Sequence, residues 1–168
     1  METKFEIDEE LMALDPKTKL WNRWITFLHK QEERSKLREE MLLRDIKSSV
    51  PDYDKVGRLS VTELHVLQEV GGKDRVNVTT IAQHIGVTKS AISKITVKLL
   101  KKGLLERYQL EDNQKEVFFR LTSAGEMVNE IHEHYHQRLE MDVYRFLDRY
   151  NPAELAFLDE VIREATED

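Results

Sequence analysis

The sequence predicts a mainly α-helical fold with a small β-wing, and the order of its elements is what leads there. A short helical pattern over residues 79–85, a tight turn at Gly86, a lysine-rich helix over 88–102 and a two-strand ribbon follow one another without a gap. Apolar stripes of helical period occupy the chain on both sides of that block. Together these describe a winged helix-turn-helix with long N- and C-terminal dimerisation helices, which puts one exposed helix where a DNA groove can receive it. The expected organisation is an N-terminal arm over 1–14, a dimerisation helix and linker over 15–58, the winged helix-turn-helix over 59–122 and C-terminal dimerisation helices over 123–168.

From residue 15 to about 48 apolar residues recur at helical spacing, with Trp21, Trp24 and Leu28 on one stripe and Leu37 and Met41 on a later one. The polar patch over 29–36 leaves one helix or two open, and Pro51 ends the run. Ser60 and Glu63 form a capping-box pattern ahead of Leu64, Leu67 and Val70, and Gly71 and Gly72 close that short helix. Thr79 is the expected N-cap of the first motif helix and Thr88 of the second. In the second, Ile92, Ile95 and Leu99 share an inward face, which leaves Lys89, Ser90, Ser93, Lys94 and Lys98 facing out until Gly103 stops the helix. Residues 104–110 and 116–121 read as strands around a polar turn at 111–115. Ser123 and Glu126 suggest a further capping box, opening a helix whose stripe of Val128, Ile131, Tyr135, Leu139, Val143, Phe146 and Tyr150 runs for about six turns. Asn151, Pro152 and Glu154 supply an N-cap, an N1 proline and an N3 acid for a last helix expected to bury Leu155, Leu158 and Ile162. Long striped helices on both flanks point to a homodimer, whose two-fold axis would set two recognition helices about one DNA turn apart.

At 168 residues the chain fits one domain, or one compact domain with arms. No apolar run approaches the roughly 20 residues of a membrane span, and the acidic first ten residues lack the basic start and apolar core of a signal peptide. With no cysteine there is neither a disulfide framework nor a thiol sensor, and a cytoplasmic protein is the expectation. A net charge of -6 would oppose a polyanionic partner were it evenly spread. Residues 79–108, however, hold six cations against the single acid Glu106, a net +5 that leaves -11 on the rest. A basic module on an acidic body binds phosphates locally while the body discourages indiscriminate association. The candidate DNA-contacting set is Thr88, Lys89, Ser90, Ser93, Lys94 and Lys98 of the helix with Arg107, Asn113 and Lys115 of the ribbon. Lys89, Ser90, Ser93 and Lys94, in the first turns of the exposed face, suit base edges in the major groove. Lys98, Lys101 and Lys102 suit phosphates or solvent, and for any one lysine a solvated helix face is the bland alternative.

Several stretches carry a family likeness: Leu59-Ser60-Val61-Thr62-Glu63 leading the supporting helix, and Ile81-Ala82-Gln83-His84-Ile85-Gly86-Val87 at the turn. They continue with the run from Ser90 that ends in Lys102-Gly103-Leu104-Leu105-Glu106-Arg107, and with Leu121-Thr122 followed by Gly125. In these the chain resembles the MarR family of bacterial winged-helix regulators, over most of its length from about Leu20. The resemblance implies an obligate dimer that regulates transcription at palindromic operators, with repression the expectation. One departure stands out. Where the family's wing reads Asp-x-Arg, this chain has Asn113-Gln114-Lys115 with Asp112 just before. Lysine keeps the charge of the arginine that in the family reaches the minor groove but loses its planar fork, so weaker wing contacts are expected.

His132, Glu133 and His136 spell H-E-x-x-H, which on a helix places two imidazoles on one face. In a zinc hydrolase the glutamate of that pattern is the general base for a metal-bound water. Its place on the flank of the dimerisation helix, with no separate substrate-binding domain, counts against that use. The i, i+4 pair by itself can chelate one zinc, whereas His134 points to the other side. The tail is similar to the zinc-responsive AdcR/ZitR branch of the MarR family. That branch carries a His-x-x-x-His at the same distance beyond the Leu-Thr of the wing, a histidine on the supporting helix and a glutamate late in the first helix. The similarity implies a His3Glu set of His132, His136, His65 and Glu40, with Zn2+ as corepressor locking the DNA-binding lobe to the dimerisation helices. The branch's secondary site is not reproduced, since Ile46, Leu64 and Ile131 stand where its cysteine and two acids would be. Two other readings stand beside it: histidines that are ordinary polar residues next to an apolar stripe, and a regulator answering to a small molecule near Trp21 and Trp24, or to none.

Overall fold

The computed structural model describes residues 15–51 and 53–167, so the expected N-terminal arm lies outside the described residues. The chain divides into two compact units, Met1–Arg44 and Asp45–Asp168. What is described of the first is most of one long helix, α1 (Pro16–Ser49). Asp15 starts it, its Oδ1 accepting from the backbone N–H of Lys17 at 3.0 Å. The polar patch does not split the helix. After the starting proline it contains no proline or glycine, and Lys36 Nζ donates to Glu32 Oε1 one turn back at 2.7 Å. Trp21, Trp24, Phe27 and Leu28 are all exposed on it.

The second unit runs on through α2 (Tyr53–Val56), α3 (Val61–Val70), β1 (Val76–Asn77), α4 (Val78–Ile85), α5 (Lys89–Lys101), β2 (Leu105–Leu110), β3 (Asn113–Leu121), α6 (Ser123–Leu147) and α7 (Pro152–Thr166). Local chemistry explains most boundaries. The capping box of α3 is complete, with Ser60 Oγ accepting from the Glu63 N–H and Glu63 Oε2 accepting from the Ser60 N–H. The box at Asn151 and Glu154 that opens α7 is likewise complete. Two caps differ from expectation. α4 is capped by Asn77, whose Oδ1 accepts from the Thr80 N–H at 2.9 Å, so Thr79 lies inside the helix. α6 is capped by Thr122 instead of Ser123: its Oγ1 accepts from the Gly125 N–H at 3.1 Å and donates to the Gly103 carbonyl at 2.6 Å. In both cases the residue that wins also belongs to the sheet or abuts it, a tertiary preference that local capping rules do not contain.

The sheet is antiparallel with order β1-β3-β2. Leu110 pairs with Asn113, so the wing turns through Glu111 and Asp112 alone and is longer and tighter than the five-residue turn the sequence suggested. β1 was not foreseen. At two residues it is too short for a period-two pattern, and it exists by pairing Val76 with Phe119 and Asn77 with Phe118. α3 packs against α4, α5 and α6, and Leu59, Val66, Leu67, Ile81, Ile92, Leu99, Leu104 and Val128 fill the core between them.

The C-terminal helices differ from expectation in burial. Along α6 the stripe is buried at Val128, half-buried at Ile131, Tyr135 and Leu139 and exposed at Val143 and Phe146, while Tyr150 lies past the helix end. α7 has no buried residue at all: Leu155 and Leu158 are half-covered and Ile162 is exposed. The stripe is real, but within one chain these turns have no layer to pack on. Among the described residues no helix is long and apolar enough to cross a membrane.

Candidate nucleic-acid interface and histidine cluster

Gly86, in the left-handed conformation at φ 74°, ends α4 and turns the chain, and Thr88 then caps α5 by accepting from the Ala91 N–H at 3.2 Å. The Thr88 hydroxyl keeps its own hydrogen to donate elsewhere. Ile92 and Leu99 are buried beneath α5, joined by Thr96, whose hydroxyl donates to the Ser93 carbonyl at 3.1 Å. Packing that face inward leaves Lys89, Ser90, Ser93, Lys94, Lys98 and Lys101 exposed, as their spacing required. A helix with serines and lysines on its free face and no acid among them can meet base edges and phosphates together.

The wing contributes less. Arg107 and Lys115 are exposed, but Asn113 is half-buried and its side chain is occupied. Its Oδ1 accepts from the N–H groups of Lys115 and Glu116 at 3.2 Å each, and its Nδ2 donates to Glu116 Oε2 at 3.0 Å. Asn113 therefore shapes the hairpin, and the tip beyond it consists of two exposed acids, Glu111 and Asp112. Lys102 also departs from the sequence reading: its ammonium donates to the Arg58 carbonyl and pairs with buried Glu63.

The histidines converge. His65 from α3 and His132 and His136 from α6 each place a ring nitrogen within 4.8 Å of the other two. The ring centroids lie 5.6 Å apart for His65 and His132 and 4.5 Å apart for His132 and His136. His132 Nε2 and His136 Nε2 are 3.1 Å apart. Two nitrogens bound to one zinc at about 2.0–2.1 Å and tetrahedral angles stand about 3.4 Å apart, so the pair needs only a small adjustment. His132 is 2 % exposed, and its Nδ1 is buried with no hydrogen-bond partner. Burial, reinforced by His136 and His65, lowers its pKa from 6.5 to about 4. The ring is thus the neutral imidazole that ligates metals. His134 is exposed and outside the group. Glu133 also stands outside it, with Oε1 accepting from Asn129 Nδ2 at 2.9 Å. Glu40 is exposed on α1, in the first unit.

Comparison with known proteins agrees with this architecture. Residues 59–117 match the pattern of the MarR family. The HTH-type transcriptional regulator YhjH of Bacillus subtilis (strain 168) is 37% identical over 148 residues, covering 88% of this chain and 85% of that protein. The chain belongs to the MarR family. Two crystal structures share the fold of this MarR protein. AdcR, the adhesin competence repressor of Streptococcus pyogenes, has a TM-score of 0.63 at 21% identity, over 92% of this chain and 97% of that one. FabT of Streptococcus pneumoniae, in complex with DNA, has a TM-score of 0.63 at 20% identity, over 86% and 94%. The chain is a MarR-type DNA-binding transcriptional regulator.

Sequence reasoning missed several residues of this MarR chain. Tyr135, assigned to the apolar stripe, stacks 6.4 Å from His132 and stands edge-on 5.4 Å from His136, forming one wall of the cluster. Its place at i+3 from His132 and i-1 from His136 could have suggested this. Nothing local marked the tie of Lys102, whose partners depend on tertiary packing, whereas Asn129 and Glu133 are an i, i+4 pair on one helix.

Proposed function

We propose that this MarR regulator is a homodimeric repressor that binds a palindromic operator and responds to zinc through His65, His132 and His136. The observation that carries the zinc reading is the convergence of three imidazoles around His132, with its Nε2 3.1 Å from Nε2 of His136. A neutral, buried imidazole beside two others is a costly arrangement for a protein to keep without a ligand. Zinc would supply a cross-link between α3 and α6. The chain's own residues do the rest: His132 is held rigid by burial, and Tyr135 walls the group. The AdcR/ZitR resemblance implies Glu40 as a fourth ligand; the three histidines of the second unit are the ligands on which the proposal stands. The regulator reading is preferred to a zinc hydrolase because the Glu133 carboxylate is engaged by Asn129 and stands outside the histidine group.

In DNA binding, Thr88, Lys89, Ser90, Ser93 and Lys94 face the major groove, and Lys98, Arg107 and Lys115 meet phosphates, with Asn113 shaping the wing. The two-fold axis is provided by the helices over 15–58 and 123–168, which leave Trp21, Trp24, Phe27, Phe157 and Ile162 uncovered in the single chain. The protein acts in the cytoplasm, where its DNA is.

Titrating the metal-free protein with zinc against a chelator of known affinity tests the site. His132→Ala and His136→Ala are expected to weaken zinc binding by about 100-fold or more, since each removes one of few ligands. Zinc should tighten operator binding by the parent and not by these variants. Parent-like zinc affinity in both variants would show the site to be wrong.

A further inference from the structure

We propose that Lys102 is a positioning residue for the recognition helix α5, acting through Glu63, and not one of its DNA contacts. In sequence it is one more cation in a basic stretch. In the structure it alone of the cations in α5 and its cap is withdrawn: its side chain is 19% exposed, while Lys89, Lys94, Lys98 and Lys101 are exposed. Its Nζ donates to the Arg58 carbonyl at 2.9 Å and lies 3.3 Å from Glu63 Oε1. The Glu63 side chain is 8% exposed, and its other oxygen accepts from the Ser60 N–H at 2.8 Å. With a carbonyl and a carboxylate already taking its protons, this ammonium is a poor candidate for a phosphate.

The tie joins two helix ends. Lys102 is the C-cap of α5, and Ser60 and Glu63 are the N-cap and first turn of α3. At its other end α5 is only capped by Thr88, which bonds Ala91 of the same helix, and between the two ends Ile92, Thr96 and Leu99 lie in the core. Apolar packing resists separation of α5 from α3 but leaves pivoting and sliding comparatively soft, whereas an ion pair with a backbone acceptor fixes a point. The 13 residues of α5 span about 20 Å, so a pivot of about 10° carries the far end about 3 Å, enough to make or break a hydrogen bond. Lys89 and Ser90 sit at that far end. The Lys102–Glu63 contact therefore sets how α5 enters the groove, and its loss is felt in discrimination between sequences more than in attraction to phosphate.

The test uses the full-length protein, a duplex selected from a random library by the parent, and an unrelated duplex of equal length. Affinities are measured over a range of salt, well below each variant's melting temperature. Lys102→Met keeps the length of the side chain and removes its charge. It is expected to lose about tenfold of the preference for the selected duplex, with affinity for the unrelated duplex and the salt slope unchanged. Lys98→Met is the control for a phosphate contact and should flatten the slope by about 1.8 on both duplexes, about 0.9 for each subunit of the dimer. Lys102→Arg, able to donate to both partners, should retain the preference. If Lys102→Met does not fold, the double variant Glu63→Gln with Lys102→Met, which leaves no unpaired buried charge, takes its place with the same expected result. A slope flattened by about 1.8 would make Lys102 of each subunit a phosphate contact. An unaltered preference in a folded variant would make the tie purely stabilising. Either result overturns the proposal.

Discussion

A methyl group on Gly125 would sit 2.0 Å from the carbonyl oxygen of Leu104 and 3.0 Å from its carbon. Neither atom can rotate away, because the backbone there forms the entry to the wing. Gly125→Ala is therefore expected to destabilise the lobe by about 1–3 kcal/mol, read as a lower urea midpoint at unchanged slope. Glu69 supports a prediction about acid. The Lys73 ammonium bonded to it lowers its pKa from the ordinary 4.5; partial burial pushes the other way, and His84 adds to the lowering. A carboxylate lowered in the folded state contributes stability that is present above its unfolded pKa and lost as pH falls through the folded one. Melting temperatures between pH 7 and pH 3 should therefore fall less steeply in Glu69→Gln than in the parent, and equal slopes would show the pair to be inert. At this scale the sequence was readable where one helix turn carried the signal: His132 and His136 share a face because they are four apart. The depth of His132 could not be read, since it depends on what α3 brings over it.

Among the elements, α5 followed its pattern most closely, because caps, inward residues and free face all repeat within a few turns. Replacing Lys94 and Lys98 together by Met should flatten the salt dependence of DNA binding by about 3.6 for the dimer, if each of the four lysines displaces one counterion. An unchanged slope would remove both from the interface. The wing is where the pattern was least informative. Two-residue turns and five-residue turns look alike in a polar run, and the pairing of Leu110 with Asn113 chose between them. With Glu111 and Asp112 exposed at its end, the wing would bring charge of the wrong sign toward phosphates. Asp112→Asn is expected to tighten operator binding by about two- to fivefold at low salt, an effect that should vanish at high salt. A loss of affinity instead would mean that Asp112 supports the turn in the bound state.

For the whole molecule, the uncovered apolar residues on α6 and α7 invite a second copy. Phe157 is 64% exposed and Ile162 61%, more than a helix keeps in water without cause. Phe157→Asp with Ile162→Asp is expected to yield monomers by sedimentation and to weaken operator binding by about 100-fold or more, since one recognition helix then binds without its twin. A dimer that survives both changes would put the two-fold axis elsewhere.

The sequence by itself determined the helices apart from the four-residue α2, most of their caps, the Gly86 turn and the lysine- and serine-bearing face of α5. Each is specified by residues within a turn or two of one another, and short-range sterics and hydrogen bonding are sufficient to place them. Only the tertiary structure decided that β1 is a strand, that Lys102 is drawn in from solvent to Glu63, and that His132 lies buried; the grouping of His65 with His132 and His136 came from the family resemblance. Those outcomes belong to residues far apart in the chain, brought together by burial of the apolar faces of α3, α5 and α6, and burial does not specify in advance which polar groups it will leave in contact.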